Sequence, residues 1–335
     1  MATLSDVARR AGVSISAVSR VLSNAPEARV STETRARIKQ AAADLAYRPN
    51  FAGRALKFSR TNVIALVVPD LTNAFVTELM LGVEDEALER DYMVLLGRSE
   101  DLKPGGEMVS RLIGEGRVDG MLVQVADHAP ASEVADLVDA GYPIVFLNSI
   151  QAGHRGGVVL DDEAGARLAT EHLIGLGHRR IAMVGGLPQS YTARRRVNGF
   201  REAMAAADLP VPASAVTRLG YYPKEGREAL RTLVAQPEPP TGLVVANLNA
   251  AIGVLSEARS LGLQVPEDLS VISVHDAWTA ENTWPPLTTV KMPMYQLGRA
   301  AVAGLYARLH GSEVRDHVVR DPAPQLVLRE STRQA

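Results

Sequence analysis

The sequence predicts an α/β protein in which a small helical domain precedes a larger body of parallel β-sheets covered by helices. Two observations support this prediction. The first 60 residues are basic and carry short helical patterns, whereas beyond residue 60 β-branched runs alternate with amphipathic segments of helical length. Such alternation is typical of βαβ units, which place helices on both faces of a parallel sheet. The 335 residues suffice for about two or three domains.

The composition excludes several classes of protein. Hydrophobic residues make up 46% of the chain and charged residues 22%, the balance of an ordinary globular protein. The lack of cysteine excludes disulfide scaffolds, thiolate metal sites and cysteine nucleophiles. No apolar stretch approaches the ~20 residues that span a bilayer, and the N-terminal residues lack the pattern of a secretory signal. We therefore expect a cytoplasmic protein.

Charge is distributed unevenly along the chain. Residues 1–60 contain eleven Lys and Arg against four Asp and Glu, whereas the whole chain has a net charge of -2. The body beyond residue 60 is therefore acidic. A basic module on an acidic body indicates that the module binds a polyanion.

The basic segment carries the signals of three short helices. A capping residue, Thr3, precedes the first helix, which Gly12 ends because glycine readily adopts a left-handed backbone. Ser14 then begins a second helix over Ile15–Leu22, and Ser31 begins a third. Two short helices joined by a tight glycine turn form a helix-turn-helix, whose second helix enters the major groove of DNA.

Three sequence segments resemble the N-terminal head of the lac repressor family of bacterial transcription regulators. They are LSDVARRAGVS from Leu4 to Ser14, AVSRVL from Ala17 to Leu22, and YRPN from Tyr47 to Asn50. Their order and spacing both match the family. The resemblance implies a DNA-binding head over residues 1–49, a hinge over 50–60, and an effector-binding and dimerisation core over 61–335.

The resemblance also implies which residues of the head contact DNA. The first residues of the second helix, Ile15 and Ser16, contact base edges, and Arg20 is suited to a bidentate contact with guanine. Phosphate contacts set the register on the duplex rather than read its sequence. We expect them from Ser14, Ser19, Asn24 and Ser31.

Residues 51–57 are expected to form a hinge helix. Seven residues that include Gly53 do not hold a helix alone in water, because isolated helices shorter than ~12 residues are marginal. In the family this segment orders on operator DNA, and a leucine is inserted into the minor groove at the central base step. Leu56 occupies that position, with Asn50 and Arg54 as neighbouring DNA contacts. Alternatively, Leu56 is only a linker residue packed on the body.

The body is predicted to contain eight strands and at least five helices. The resemblance implies that they form two Rossmann-like lobes of the periplasmic-binding-protein type, with chain crossings near residues 160, 291 and 323. Lobe 1 then covers about 61–160 and 292–322, and lobe 2 about 161–291 and 323–331. The predicted strands are 63–69, 93–97, 120–125, 144–148, 158–160, 181–185, 243–247 and 271–274, and the helices are 75–90, 163–176, 197–206, 224–234 and 250–261.

Ligands of parallel sheets bind beyond the carboxyl ends of the strands. This rule and the resemblance together predict a ligand site between the lobes. Its polar and aromatic side chains suit a sugar-like metabolite, although a nucleobase or a sugar acid would also fit. Leu248 and His275 depart from the family pattern and suggest an unusual ligand. The predicted ligand-binding residues are Asn73, Phe75, Gln124, Asn148, Ser190, Arg194, Tyr222, Asn247, Asp276 and Trp278.

Signals of catalysis, cofactors and metals are weak. The glycines at 114, 116 and 120 lie between a helix and the following strand, the reverse of the order in a dinucleotide loop. His275 beside Asp276 has no serine on a nucleophile elbow and is interpreted as a pocket histidine. The run Arg194 to Arg196 is expected to give one pocket residue and two solvated ones. We therefore predict no enzyme activity, no cofactor and no metal.

These observations lead to one functional prediction. The chain is expected to be a homodimeric, sequence-specific transcriptional regulator, a repressor of a pseudo-palindromic operator, controlled by a sugar-like effector. One alternative is the same regulator controlled by a protein corepressor or a phosphorylated metabolite. A second alternative is a ligand-binding sensor without a role on DNA.

Overall fold

The computed structural model describes residues 2–22, 30–48, 60–98, 109–127 and 129–335. Within it the chain divides into two compact units, Met1–Thr61 and Asn62–Ala335. Nearly all of the predicted hinge, 50–60, lies outside the described residues. The same holds for four predicted DNA contacts, Asn24, Asn50, Arg54 and Leu56.

The described residues of the N-terminal unit form three helices, α1 Leu4–Ala11, α2 Ile15–Leu22 and α3 Thr32–Asp44. The Thr3 side chain caps α1, and Gly12 ends this helix in the left-handed conformation, with φ of 65°. The predicted helix-turn-helix is therefore present. The helices enclose a small core of Val7, Ala8, Ala11, Val18, Val21, Ile38, Ala41 and Ala42.

The strands described in the second unit form two sheets of six strands each. In the first sheet the strand order is β11-β5-β4-β3-β1-β2 with parallel pairing throughout, and in the second it is β12-β10-β9-β8-β6-β7. Only β12 in the described pairings runs antiparallel to its neighbour. The strands are β1 Val63–Val68, β2 Met93–Arg98, β3 Gly120–Gln124, β4 Ile144–Leu147, β5 Val158–Leu160, β6 Ile181–Gly185, β7 Val216–Arg218, β8 Gly242–Val245, β9 Ser270–Val274, β10 Thr288–Lys291, β11 His317–Val319 and β12 Gln325–Val327.

Helices cover the faces of both sheets. They are α4 Val76–Glu89, α5 Ala131–Asp139, α6 Asp162–Gly175, α7 Tyr191–Ala206, α8 Pro223–Val234, α9 Leu248–Ser260, α10 Trp278–Glu281 and α11 Met294–Leu309, with a π-helical turn at Ser110–Gly114 and a 3₁₀ turn at Ala213–Ala215. In the part of the chain that is described, no helix combines the length and the apolar character needed to cross a membrane.

The chain passes between the two sheets three times, between β5 and β6, between β10 and β11, and between β11 and β12. Helix α11 packs on strands of the first sheet, and α6 packs on strands of the second. Strands buried on both faces, such as VIALVV in β1, supply the core of each sheet. The carboxyl ends of the strands therefore approach one another from two lobes, the first sheet with its helices and the second sheet with its helices.

Helices α6 and α7 pack with their backbones in close contact. A Cβ atom at Gly199 in α7 would lie only 2.1 Å from the carbonyl oxygen of Glu163 in α6. Any side chain at position 199 would therefore force the two helices apart. This contact fixes the first turn of α6 against the middle of α7.

We predict that Gly199→Ala lowers the free energy of unfolding by about 1–3 kcal/mol, the usual effect of overpacking. The matched control is Gly175→Ala, because Gly175 is also helical and a Cβ there meets no atom within 4 Å. The control should be neutral or stabilising by up to about 1 kcal/mol. Urea denaturation measures the free energy of unfolding of both variants. Equal changes in the two variants would contradict the close contact between α6 and α7.

Candidate functional site

A cavity of about 290 Å³ lies between the two lobes, at the carboxyl ends of the strands. We call it the cleft cavity. Residues that follow β1, β3 and β4 line it from the first lobe, and residues of α7, of the segment before α8, and of the ends of β8 and β9 line it from the second. Its polar and aromatic lining includes Asp70, Asn73, Phe75, Gln124, Asp127, Asn148, Thr192, Arg196, Tyr221, Tyr222, Glu225, Asn247, Asn249 and His275.

Arg196 is the centre of a buried hydrogen-bond network at the base of the cleft cavity. It is only 3% exposed. Its Nε donates to Asp162 Oδ1 at 2.8 Å, its Nη1 to the carbonyl oxygen of Ala246 at 2.6 Å, and its Nη2 to His275 Nε2 at 2.8 Å. One guanidinium therefore joins α6, α7 and the ends of two strands.

The charges of this network are balanced within the protein. Asp162 is fully buried, and burial raises the pKa of its carboxyl while the Arg196 guanidinium opposes the rise. Burial, together with the positive charge of Arg196, holds the pKa of His275 well below its usual 6.5. The imidazole is therefore neutral near pH 7.

The tautomer of His275 follows from its partner. A guanidinium can only donate hydrogen bonds, so Nε2 of His275 accepts and Nδ1 carries the proton. Nδ1 is buried and has no partner among the described residues. His275 thus offers an N–H donor at the cavity.

An aromatic contact bridges the two lobes across the cleft. The Phe75 ring, just before α4 of the first lobe, stacks on the His275 ring of the second, with centroids 5.0 Å apart and planes at 24°. Both residues line the cleft cavity. Relative movement of the lobes would change this contact.

Four oxygen acceptors at the cleft cavity are buried without a hydrogen-bond partner in the described structure. They are Asn73 Oδ1, Gln124 Oε1, Asn148 Oδ1 and Glu225 Oε2. Buried polar atoms in folded proteins are nearly always hydrogen-bonded. The cavity is therefore suited to a molecule that brings several O–H or N–H donors.

The structure brings six of the ten predicted ligand-binding residues to the cleft cavity: Asn73, Phe75, Gln124, Asn148, Tyr222 and Asn247. The other four lie elsewhere. Ser190 caps α7 and accepts from the backbone N–H of Ala193. Asp276 accepts from Arg329 at 2.8 Å and from Thr289 at 2.6 Å. Trp278 is 68% exposed at the start of α10.

The sequence predicted Arg194 at the ligand site, but the arginine in the described lining of the cleft cavity is Arg196. Helix α7 begins at Tyr191, so Thr192 and Arg196, four residues apart, share the face toward the cleft. Arg194 points away from that face, donates to the carbonyl oxygen of Gln189 at 2.7 Å and lines a separate cavity. The expectation that Arg196 is solvated is therefore wrong.

Some of the cleft residues that are absent from the predicted set carry sequence signals from which they could have been predicted, and others do not. A helix starting at Tyr191 after the capping serine would have predicted Thr192 and Arg196 together. His275 was interpreted as a pocket histidine, and it does line the cleft cavity. Asp127 and Glu225 carry no local sequence signal, because tertiary packing brings them to the cleft.

Four of the predicted DNA contacts, Ile15, Ser16, Ser19 and Arg20, belong to α2 of the N-terminal unit. Ile15 is 51% exposed, Ser16 and Arg20 are also exposed, and Ser19 is half-buried, while Val18 and Val21 face the core. Arg20 Nε donates to the carbonyl oxygen of Ser16 at 3.2 Å. Two serines cap helices: Ser14 Oγ accepts from the backbone N–H of Ala17, and Ser31 Oγ from that of Thr34.

Comparisons with known proteins match both units. Residues 3–50 match the family of bacterial regulatory proteins named lacI, and residues 170–332 match the periplasmic binding protein-like domain. Catabolite control protein A from Priestia megaterium is 31% identical over 334 residues, which is 99% of each chain.

Two solved structures cover nearly the whole chain. A complex of the transcriptional regulator CelR with cellobiose is 30% identical, with a TM-score of 0.72 over 99% of this chain and 100% of the other. The lac repressor dimer bound to operator and the anti-inducer ONPF is 26% identical, with a TM-score of 0.81 over 99% of both chains.

We predict that Arg196→Met lowers the free energy of unfolding by about 3–5 kcal/mol, because it leaves the Asp162 carboxylate buried without its counter-charge. The matched control is Arg195→Met. Arg195 is the next residue of α7 and pairs with Glu163 at 3.1 Å in a more exposed position, so its loss should have an effect within about 1 kcal/mol.

A double variant separates the ion pair from the packing of the arginine stem. Removing the charge of Asp162 as well, in Asp162→Asn/Arg196→Met, should recover a measurable part of the lost stability. Urea denaturation of the wild type, Asp162→Asn, Arg196→Met and the double variant gives the coupling energy between the two residues. If Arg195→Met and Arg196→Met lowered the free energy of unfolding equally, this would contradict the buried network around Arg196.

Proposed function

The chain belongs to the lacI family of bacterial regulatory proteins, and from this premise we propose that it is a repressor controlled by a neutral, hydroxyl-rich, sugar-like metabolite in the cleft cavity. Family membership makes the chain a DNA-binding transcriptional regulator and not an enzyme. The repressor role and the class of effector are the proposal.

We assign a separate role to each of the two units and to the segment that joins them. Residues 1–49 bind operator DNA, 50–60 couple the units, and 61–335 bind the effector and dimerise. Within the core, lobe 1 covers about 61–160 and 292–322, and lobe 2 about 161–291 and 323–331. The three passages of the chain between the two sheets support this division.

DNA recognition is assigned to the exposed face of α2. Ile15, Ser16 and Arg20 are proposed to contact base edges in the major groove, with Arg20 paired to a guanine. Ser14, Ser19 and Ser31 are proposed as phosphate contacts, which set the register of the head on the duplex. Asn24, Asn50, Arg54 and Leu56 stay predictions from the sequence.

The unpartnered acceptors at the cleft cavity carry the proposal for the effector. Asn73, Gln124, Asn148 and Glu225 present oxygen acceptors to the cavity, which ligand hydroxyls would satisfy. The Phe75 ring lines the cleft cavity beside His275, and an aromatic ring is the kind of group that covers the apolar face of a sugar. The similarity to a regulator solved with cellobiose supports a carbohydrate.

The electrostatics of the cleft cavity disfavour an anionic effector. Its described lining contains one guanidinium, Arg196, which Asp162 already neutralises. Asp70, Asp127 and Glu225 add carboxylates to the same lining. A phosphorylated sugar or a sugar acid would meet these negative charges without a compensating cation, so the proposal places a neutral molecule here.

The first lobe offers a surface for the proposed homodimer. Five large apolar side chains are exposed on β2 and the neighbouring helix α4: Leu81, Leu88, Met93, Leu95 and Leu96. A second copy of the chain would bury them, and the similarity to the lac repressor dimer supports this occupant. Two heads related by a two-fold axis would then read a pseudo-palindrome.

The proposed control is a shift between two arrangements of the lobes. A ligand that contacts Phe75 on one lobe and Arg196 or His275 on the other binds better when the lobes are closed. Its binding therefore shifts the equilibrium toward the closed arrangement. The size of the shift is set by how much more tightly the ligand binds the closed arrangement than the open one. The dimer surface on the first lobe would transmit that change to the paired heads.

The proposal is tested by a thermal-shift screen of neutral saccharides and polyols, with sugar phosphates and nucleobases as comparison classes. A ligand that binds the folded protein raises its melting temperature by mass action. Titration of the hit should show about three- to tenfold weaker binding to Gln124→Ala, because one hydrogen bond is lost. Gln264→Ala, which changes an exposed glutamine outside the cavity, should bind as the wild type does.

Three results would contradict the proposed effector class. A hit confined to sugar phosphates or nucleobases would exclude a neutral sugar. A hit that Gln124→Ala binds normally would place the ligand outside the cleft cavity. A screen without any hit would favour a protein corepressor.

A further inference from the structure

A second cavity lies on the other side of helix α7. It has a volume of about 380 Å³ and is lined by four arginines, Arg194, Arg195, Arg201 and Arg218. We call it the arginine cavity. We propose that it binds a small phosphate-bearing metabolite, at a site separate from the cleft cavity.

The periodicity of α7 separates the two cavities. Thr192 and Arg196 face the cleft, whereas Arg194, Asn198 and Arg201, at intervals of four and three residues, share the opposite face. Arg218 completes the arginine cavity from the end of β7, where it pairs in register with Gly185 of β6. No lining residue is common to the two cavities.

Positive charge dominates the arginine cavity. Glu163 is the one carboxylate in its described lining, and it already accepts from Arg195 at 3.1 Å and from Asn198 at 3.4 Å. Over the described residues, no carboxylate lies within 4.0 Å of the guanidinium of Arg194, Arg201 or Arg218. Like charges brought together in this way repel one another unless an anion binds among them.

Arg195 provides a second, independent indication of a ligand. Its side chain is 25% exposed, yet its Nε is buried and has no hydrogen-bond partner among the described residues. The other end of the guanidinium is held by Glu163, with Asp161 at 3.9 Å. A buried donor without an acceptor destabilises a protein, and a ligand oxygen would relieve that penalty.

The chemistry and shape of the cavity favour a small phosphate-bearing molecule. A planar guanidinium binds two phosphate oxygens at once, which makes arginine the residue suited to phosphate recognition. A volume of about 380 Å³ fits a metabolite. A nucleic acid duplex would require an extended surface, and a neutral sugar would leave the arginine charges uncompensated.

The test is calorimetric titration of inorganic pyrophosphate into the full-length protein at constant ionic strength. The variant Arg201→Glu/Arg218→Glu reverses two charges of the arginine cavity. Its control, Arg259→Glu/Arg315→Glu, reverses two exposed charges that do not line it. We expect one pyrophosphate per chain in wild type and control, and binding at least about tenfold weaker in the cavity variant.

A milder variant, Arg201→Gln/Arg218→Gln, gives the same test if the glutamates impair folding. If pyrophosphate bound equally weakly to the cavity variant and the control variant, its affinity would depend only on the net charge of the protein. This result would overturn the proposal. Unchanged binding in both, or no binding to the wild type, would overturn it too. Gln124→Ala should bind pyrophosphate normally, so this result is independent of the effector proposed for the cleft cavity.

Discussion

The buried ion pair between Arg196 and Asp162 is the interaction on which the second lobe's side of the cleft depends. Two charges taken out of water are tolerated only when they are paired and hydrogen-bonded. The Arg196 guanidinium meets this condition by binding Asp162, the Ala246 carbonyl and the His275 imidazole together. The positions of α6, α7 and the ends of β8 and β9 are therefore coupled. The ion pair at the bottom of the cleft cavity carries no net charge.

Helix α7 consequently has two chemically different sides. Toward the cleft, its one guanidinium is neutralised within the protein, and the surrounding acceptors suit a hydroxylated molecule. On the opposite side, Arg194, Arg195 and Arg201 present positive charge with Arg218. In the two proposals, one helix separates a site for a neutral ligand from a site for an anion.

The sequence predicted the elements with strong local signals. Gly12 and the capping residues defined the three helices of the N-terminal unit, and β-branched runs defined the eight predicted strands, all of which are present. The strands β7, β10, β11 and β12 were missed because their three or four residues include polar or charged ones, as in VTR and TTVK, whereas the equally short β5 is entirely apolar. Their pairing partners, which are distant in sequence, stabilise them.

Two of the errors at the site follow from the local backbone, at the start of α7 and at the turn after β9. Starting α7 at residue 197 instead of Tyr191 left no way to separate Arg194 from Arg196 by helix face. At the end of β9 the chain turns sharply, since His275 has a positive φ of 69°. His275 therefore faces the cleft, and Asp276 turns toward Arg329.

We propose that occupation of the cleft cavity controls DNA binding, and the thermodynamic linkage between the two binding events tests this coupling. An operator duplex would be selected from a random library on the full-length protein, and effector affinity measured with and without saturating operator. Saturating operator is expected to change effector affinity by about 5- to 150-fold, the same factor by which effector changes operator affinity. If operator left effector affinity unchanged, the cleft cavity would not control DNA binding.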